Sequence, residues 1–169
     1  MHFILISIGS NIDRDKHTRE GVKGLFRHFD AVKLSSVYES EAVGFNGKPF
    51  YNLVASATTP KDIASVCKTL KAIERENGRI AGEKKFAPRT LDLDLLTFDQ
   101  QVTDSPVVLP RGEITVNAFV LQPLAELVPE HRHPVLGECY AELWAQYDKS
   151  KQRLWQVPFA WGLGSDDNI

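Results

Sequence analysis

Leucine and aspartate alternate through Leu91-Asp92-Leu93-Asp94-Leu95. This is the period of a strand with one face buried. Side chains two apart on a strand share a face at a spacing of about 6.6 Å. Asp92 and Asp94 are therefore expected side by side, backed by three leucines. Two carboxylates on a rigid strand are oxygen donors suited to a hard cation such as magnesium, which keeps several waters and is completed by phosphate oxygens. Arg89 lies just upstream, and its guanidinium can grip a phosphate through two parallel hydrogen bonds. A solvated edge strand would show the same alternation. Leu96 and Phe98, expected to continue the aspartate face, favour a covered face instead. Under cover, carboxylates are costly unless a metal or a base meets them.

The elements that must hold this strand can be read in chain order. His2–Ile8 is an apolar run ending in turn chemistry at Ile8-Gly9-Ser10-Asn11. A helix follows over Arg14–Phe29, with Val22, Leu25, Phe26 and Phe29 as its stripe. Ala31–Glu39 reads as one strand and Phe50–Thr58 as the next, separated by a glycine-containing loop. In Thr59-Pro60-Lys61-Asp62 the pattern offers a helix cap, a proline at the first position and an early acid. Ile63, Val66, Cys67, Leu70 and Ile73 make that helix's stripe, and Gly78 is placed to end it. After the aspartate strand, a turn at Asp99-Gln100 opens a hairpin reaching Leu109. Val116–Leu127 is expected as two helical pieces broken at Pro123, followed by a stripe over Tyr140–Tyr147 and an edge strand over Arg153–Pro158. The order β-α-β-β-α-β with a helical C-terminal extension predicts an α+β class, a ferredoxin-like βαββαβ core with a mixed or antiparallel sheet. Residues 1–164 are expected to form a single domain, with 165–169 a frayed tail.

Composition excludes several function classes. Lys and Arg number 20 against 22 Asp and Glu, with no basic block, which argues against a nucleic-acid partner. No run is long and apolar enough for a membrane helix, and the amino terminus reads directly into a strand, so a cytoplasmic monomer without a membrane partner is expected. Cys67 and Cys139 are too few for a disulfide framework and read as buried free thiols. The segment Gly44-Phe45-Asn46-Gly47-Lys48-Pro49 lacks the spacing of a phosphate-binding loop. His131 and His133, in a proline-rich turn, have no companions in sequence to complete a metal site.

The aspartate stretch also resembles a family signature. Ala87-Pro88-Arg89-Thr90-Leu91-Asp92-Leu93-Asp94 is similar to the Gly-Pro-Arg-Thr-Leu-Asp-Leu-Asp of the 6-hydroxymethyl-7,8-dihydropterin pyrophosphokinases. The resemblance spans about residues 4 to 130 and includes Ile8-Gly9-Ser10-Asn11, Ser35-Ser36-Val37-Tyr38, Pro49-Phe50-Tyr51-Asn52, Gly78-Arg79 and Phe119-Val120-Leu121-Gln122-Pro123-Leu124. It implies ATP-dependent diphosphate transfer to a pterin alcohol in folate biosynthesis, with ATP and the pterin as partners. It further implies that Asp92 and Asp94 hold two magnesium ions, that Arg89 and Arg79 contact phosphates, and that Glu74 helps position the nucleotide side; Arg111 and Lys85 are expected there as cations outside the family's geometry. Asn52 would hydrogen-bond the pterin ring, Phe119 and Phe50 would pack on it, and the backbone at Ala42 and Val43 would meet its edge. Without the resemblance, Asn52 reads as a turn cap, Phe119 as a core residue and Arg79 as a solvated charge at a helix end.

This sequence departs from the family pattern at several positions, with Phe86 in place of a frequent tryptophan a mild change. Arg111 follows Pro110 where the family has histidine, Asn117 stands where it has arginine, and Ala81 lies where the loop carries a second arginine. Arg111, Lys84 and Lys85 are cations that can compensate in part. The loss of phosphate contacts keeps a second reading open: a divergent member that binds a pterin or nucleotide with weak or no catalysis. A purely structural interaction domain leaves Arg89, Asp92 and Asp94 unexplained.

Overall fold

The structure, a computed structural model, describes residues 1–40, 49–78 and 90–161. Ala42, Val43, Arg79, Ala81, Lys84, Lys85, Phe86 and Arg89, and the tail expected at 165–169, lie outside the described residues. The element order is β1 His2–Ser10, α1 Arg14–His28, β2 Asp30–Leu34, β3 Val37–Ser40, β4 Phe50–Thr59, α2 Ile63–Glu76, β5 Asp92–Phe98, α3 Glu113–Val116, α4 Ala118–Leu127, α5 Tyr140–Gln146 and β6 Leu154–Val157. The strands form one sheet in the order β5-β1-β4-β3-β6, with β2 also on β4, and every pairing between them is antiparallel.

Alternation divides this sheet between two cores. Ile4, Ile6 and Ile8 of β1, with Leu53 and Ala55 of β4 and Leu91, Leu93 and Leu95, join Val22 and Leu25 of α1 and Val66, Leu70 and Ile73 of α2. On the other face Leu5, Val54 and Leu96 pack with Val120, Leu121 and Leu124 of α4 and Tyr140 of α5. Burial of these aliphatic side chains is the main favourable term on both faces. The two α1 glycines let that helix approach its neighbours closely: a Cβ on Gly21 would lie 2.8 Å from Leu91, just before β5, and one on Gly24 2.9 Å from Ile73 of α2.

Several sequence expectations change in detail. The strand expected over Ala31–Glu39 is two, β2 and β3, interrupted at Ser35-Ser36, where the Ser35 hydroxyl accepts from the Val54 N–H. Strand β1 runs on to Ser10, so Gly9 lies inside a strand and not in a turn. The cap of α2 is Asp62, whose carboxylate accepts from the Ser65 N–H at 2.8 Å, while Thr59 ends β4. The helical break falls at Asn117, whose backbone is extended, and α4 continues through Pro123. A proline there lacks the N–H that would meet the Phe119 carbonyl, and buried Val120, Leu121 and Leu124 outweigh that loss. The Asp99–Leu109 hairpin reduces to a single bridge, Thr103 to Leu109. Phe98 does not share the aspartate face: the β1–β5 register shifts between Leu5 and Ile6, pairing Ile6 with Leu95 and Leu5 with Thr97. This bulge turns Phe98 to the leucine side, where it joins the α1/α2 core.

Candidate active site

Leu91, Leu93 and Leu95 are buried against α1 and α2, so Asp92 and Asp94 project from the opposite face of β5. Strand β5 is an edge strand, and its outer N–H groups need partners. Glu74 near the end of α2 supplies one: its carboxylate accepts from the Leu93 N–H at 2.7 Å, between the two aspartates. The helix thereby holds the segment that carries both carboxylates.

Arg111 stands beside them. Its backbone N–H donates to the Leu96 carbonyl at 2.9 Å and its Nε–H to the Leu95 carbonyl at 3.2 Å. Its guanidinium lies 3.6 Å from Asp94 and 3.7 Å from Glu113. Although the Asp94 side chain keeps 31% of its accessible surface, its carboxyl is pushed up to about 7. Burial is the largest cause, followed by the charge of Asp92; Arg111 opposes the shift, and a hydrogen bond to Asp92 and the charge of Glu74 add to it. Two like charges crowded together hold a proton. A dication relieves the same repulsion and suits the all-oxygen donor set, so Asp92 and Asp94 fit magnesium.

The same face carries the other expected residues. In the β1–β4 register Ser7 pairs with Val54 and Gly9 with Asn52; in the β1–β5 register Ser7 pairs with Asp94 and Gly9 with Asp92. Directly paired residues share a face, so Asn52 lies on the aspartate side, as does Phe50 two residues before it. Phe119 of α4 packs against the core on that side. Asn52 and Phe119 therefore sit on one side of the sheet. Tyr51 points the other way, into the α1/α2 core. Helix α4 is fastened over this face by Glu126, whose carboxylate accepts from the Ser36 N–H at 3.1 Å, the Ser36 hydroxyl at 2.7 Å and the Tyr38 hydroxyl at 2.7 Å. Burial and the Glu126 carboxylate raise the Tyr38 phenol well above its ordinary range. The Asn52 amide donates to the Ser40 hydroxyl at 2.8 Å, and both residues are buried.

Asn117, where the family pattern has arginine, is engaged in fold: its Oδ1 accepts from the Gln152 amide at 3.0 Å, while Gln152 accepts from the Ala118 N–H. The His131-Arg132-His133 turn is structural as well. His131 stacks on Phe3 at 4.9 Å, and the buried His133 Nδ1 accepts from the N–H groups of Val135 and Leu136. Cys67 and Cys139 are half-buried free thiols. Two cavities of about 550 and 480 Å³ lie against α1, and neither is lined by Asp92 or Asp94. Gly9, expected as a turn residue within the family motif, and Ser40, for which no site role is expected, also lie on this face; a glycine amid strand residues is the available signal for the first.

The family model for 7,8-dihydro-6-hydroxymethylpterin-pyrophosphokinase (HPPK) matches residues 5–129. The chain belongs to this family. Among relatives named 2-amino-4-hydroxy-6-hydroxymethyldihydropteridine pyrophosphokinase, that of Pseudomonas aeruginosa is 34% identical over 136 residues, covering 78% of this chain and 83% of the relative. The Bacillus subtilis relative is 30% identical over 156 residues, 89% of each chain. Among solved structures, an HPPK-DHPS in complex with substrates aligns with a TM-score of 0.71 at 11% identity, covering 89% of this chain and 44% of that one. The shared fold with HPPK-DHPS thus extends over less than half of that longer chain, whereas the two pyrophosphokinase relatives are matched over 83% and 89% of their length. Among the described residues no helix is long and apolar enough to cross a membrane.

Proposed function

We propose that this chain catalyses the reaction for which its HPPK relatives are named, transferring a diphosphate from ATP to 6-hydroxymethyl-7,8-dihydropterin to give AMP and the pterin diphosphate. Family membership carries the reaction class. The observation that carries the site is one sheet face bearing Asp92, Asp94 and Asn52, with Phe119 on the helix packed over that face.

In this reading Asn52 offers directional hydrogen bonds to the ring edge while Phe119 and Phe50 supply flat stacking area. The family resemblance also implies a ring-edge role for Ala42 and Val43. Asp92 and Asp94 would hold two magnesium ions, which when bound would supply charge neutralisation at the transferring phosphoryl group. Glu74 keeps the aspartate strand in place. Arg89, Arg79, Lys85 and Arg111 stabilise phosphate charge, which is most of what a protein contributes to such a transfer. With β2 and β3 counted as one interrupted strand, the element order supports a ferredoxin-like βαββαβ core with a helical C-terminal extension. A cytoplasmic monomer completes the reading, and size-exclusion chromatography tests its oligomeric part.

The testing experiment is calorimetry with 6-hydroxymethylpterin and with a non-hydrolysable ATP analogue, each with and without magnesium, beside an assay for AMP release. Magnesium-dependent nucleotide binding, pterin binding and AMP release support the enzyme. Pterin binding without nucleotide binding or AMP release supports the divergent binder, the reading that Asn117 and Ala81 favour by removing two arginines from the family pattern.

A further inference from the structure

We infer that Gly9 sets the depth of the pterin slot: by placing no side chain between Asn52 and Asp92, it leaves a backbone floor for the fused rings. The inference rests on the pterin reading above. Gly9 pairs with Asn52 on one side and with Asp92 on the other, so the three form a row across β4, β1 and β5 with one common face. Asn52 and Asp92 are two strand spacings apart, about 10 Å. That is room for a two-ring heterocycle lying along the row, from its hydrogen-bonded edge at Asn52 to its alcohol near Asp92.

A glycine within a strand weakens it through chain entropy and missing packing, so its presence needs a reason. At Gly21 and Gly24 the reason is packing, because a Cβ would strike Leu91 or Ile73. At Gly9 the nearest atom to an added Cβ is the Asn52 Oδ1 at 3.2 Å, and the next are Phe50 Cδ1 at 3.8 Å and the Tyr51 carbonyl at 3.9 Å. The backbone thus tolerates a methyl group; what the methyl crowds is the amide assigned to the ring. Asn52 has little room to retreat, because its Nδ2 donates to buried Ser40 at 2.8 Å. The substitution is therefore felt first at the Asn52 amide that the ligand meets.

The test compares wild type, Gly9→Ala and Gly9→Ser by titration with 6-hydroxymethylpterin, titration with magnesium and a non-hydrolysable ATP analogue, and thermal melting. One added carbon in a fitted pocket is worth on the order of ten-fold or more. Gly9→Ala is expected to weaken the pterin by that factor and Gly9→Ser further. Nucleotide affinity falls by less than pterin affinity, because the added carbon meets Asn52 and Phe50 rather than Asp92, and the variant stays folded with a melting temperature lowered at most slightly. Wild-type pterin affinity in Gly9→Ala overturns the inference and leaves the function reading standing. Loss of both ligands with a lowered melting temperature, or failure to fold, also overturns it, because Gly9 is then a packing residue. A wild type that binds no pterin overturns the function reading together with this inference.

Discussion

The two faces of the sheet are built from the same strands to opposite ends. Toward α1 and α2 the strands present isoleucine, leucine and alanine almost without interruption, and two helices close over them. Toward α4 the apolar residues Leu5, Val54 and Leu96 give way along the strands to Ser7, Gly9, Asn52, Asp92 and Asp94. The first face carries stability; the second gives up apolar area at one end, where the carboxyls of Asp92 and Asp94 crowd each other. A site of this kind is destabilised until its ligands arrive, and the opposite face offsets the cost.

The largest expected effect that separates the faces is at the aspartates. Asp92→Ala or Asp94→Ala should slow transfer by on the order of 10²–10³-fold or more, as for removal of a group that stabilises the transition state. The melting temperature of the metal-free protein should hold or rise, because each change removes a crowded charge. Near-normal turnover in either variant would remove the metal assignment. Ile6→Ala should do the converse. Ile6 is fully buried on the α1/α2 face, so truncation should cost about 2–5 kcal/mol in denaturant unfolding while pterin affinity holds at temperatures where the variant is folded. A variant equally damaged in both would blur the division between the faces.

A third change sharpens the nucleotide end. Asn117→Arg restores the family's cation and should tighten the ATP analogue or raise the rate roughly ten- to hundred-fold, the worth of a charge-assisted hydrogen bond. It gives up the bond from Gln152, so a slightly lower melting temperature should accompany the gain. No change in a wild type already turning over like an ordinary kinase would show that phosphate is held elsewhere. The smallest effect is in pH. The Asp94 carboxyl is raised to about 7 by burial and by Asp92, above the unfolded value of about 4. The folded, metal-free protein therefore binds more protons than the unfolded chain between these values, and stability should fall as pH climbs from about 4 to about 7. Asp94→Asn should flatten that slope; an unchanged slope would assign it to other groups.

How much was legible follows from the range of each interaction. The alternation of Leu91 through Leu95 fixed which side chains of β5 share a face, and the stripes of α1 and α2 fixed their buried sides, because both are set by the local repeat of the chain. The order of elements and the motifs around Asn52, Asp92 and Phe119 were likewise readable, and with them the family. Other features depend on pairing between distant segments. The bulge that carries Phe98 to the leucine face exists only against Leu5 and Ile6 of β1. Glu74 reaches the Leu93 N–H, and Arg111 reaches Asp94, only once α2 and the segment after β5 are docked. Gly9 gains its meaning from two registers at once, which bring Asn52 and Asp92 to either side of it. The sequence by itself determined the strand that carries the carboxylates and the residue types that could meet a pterin and a phosphate. Tertiary structure alone decided which of them face one another, because a strand's period is local whereas its register is fixed only by the partners it pairs with.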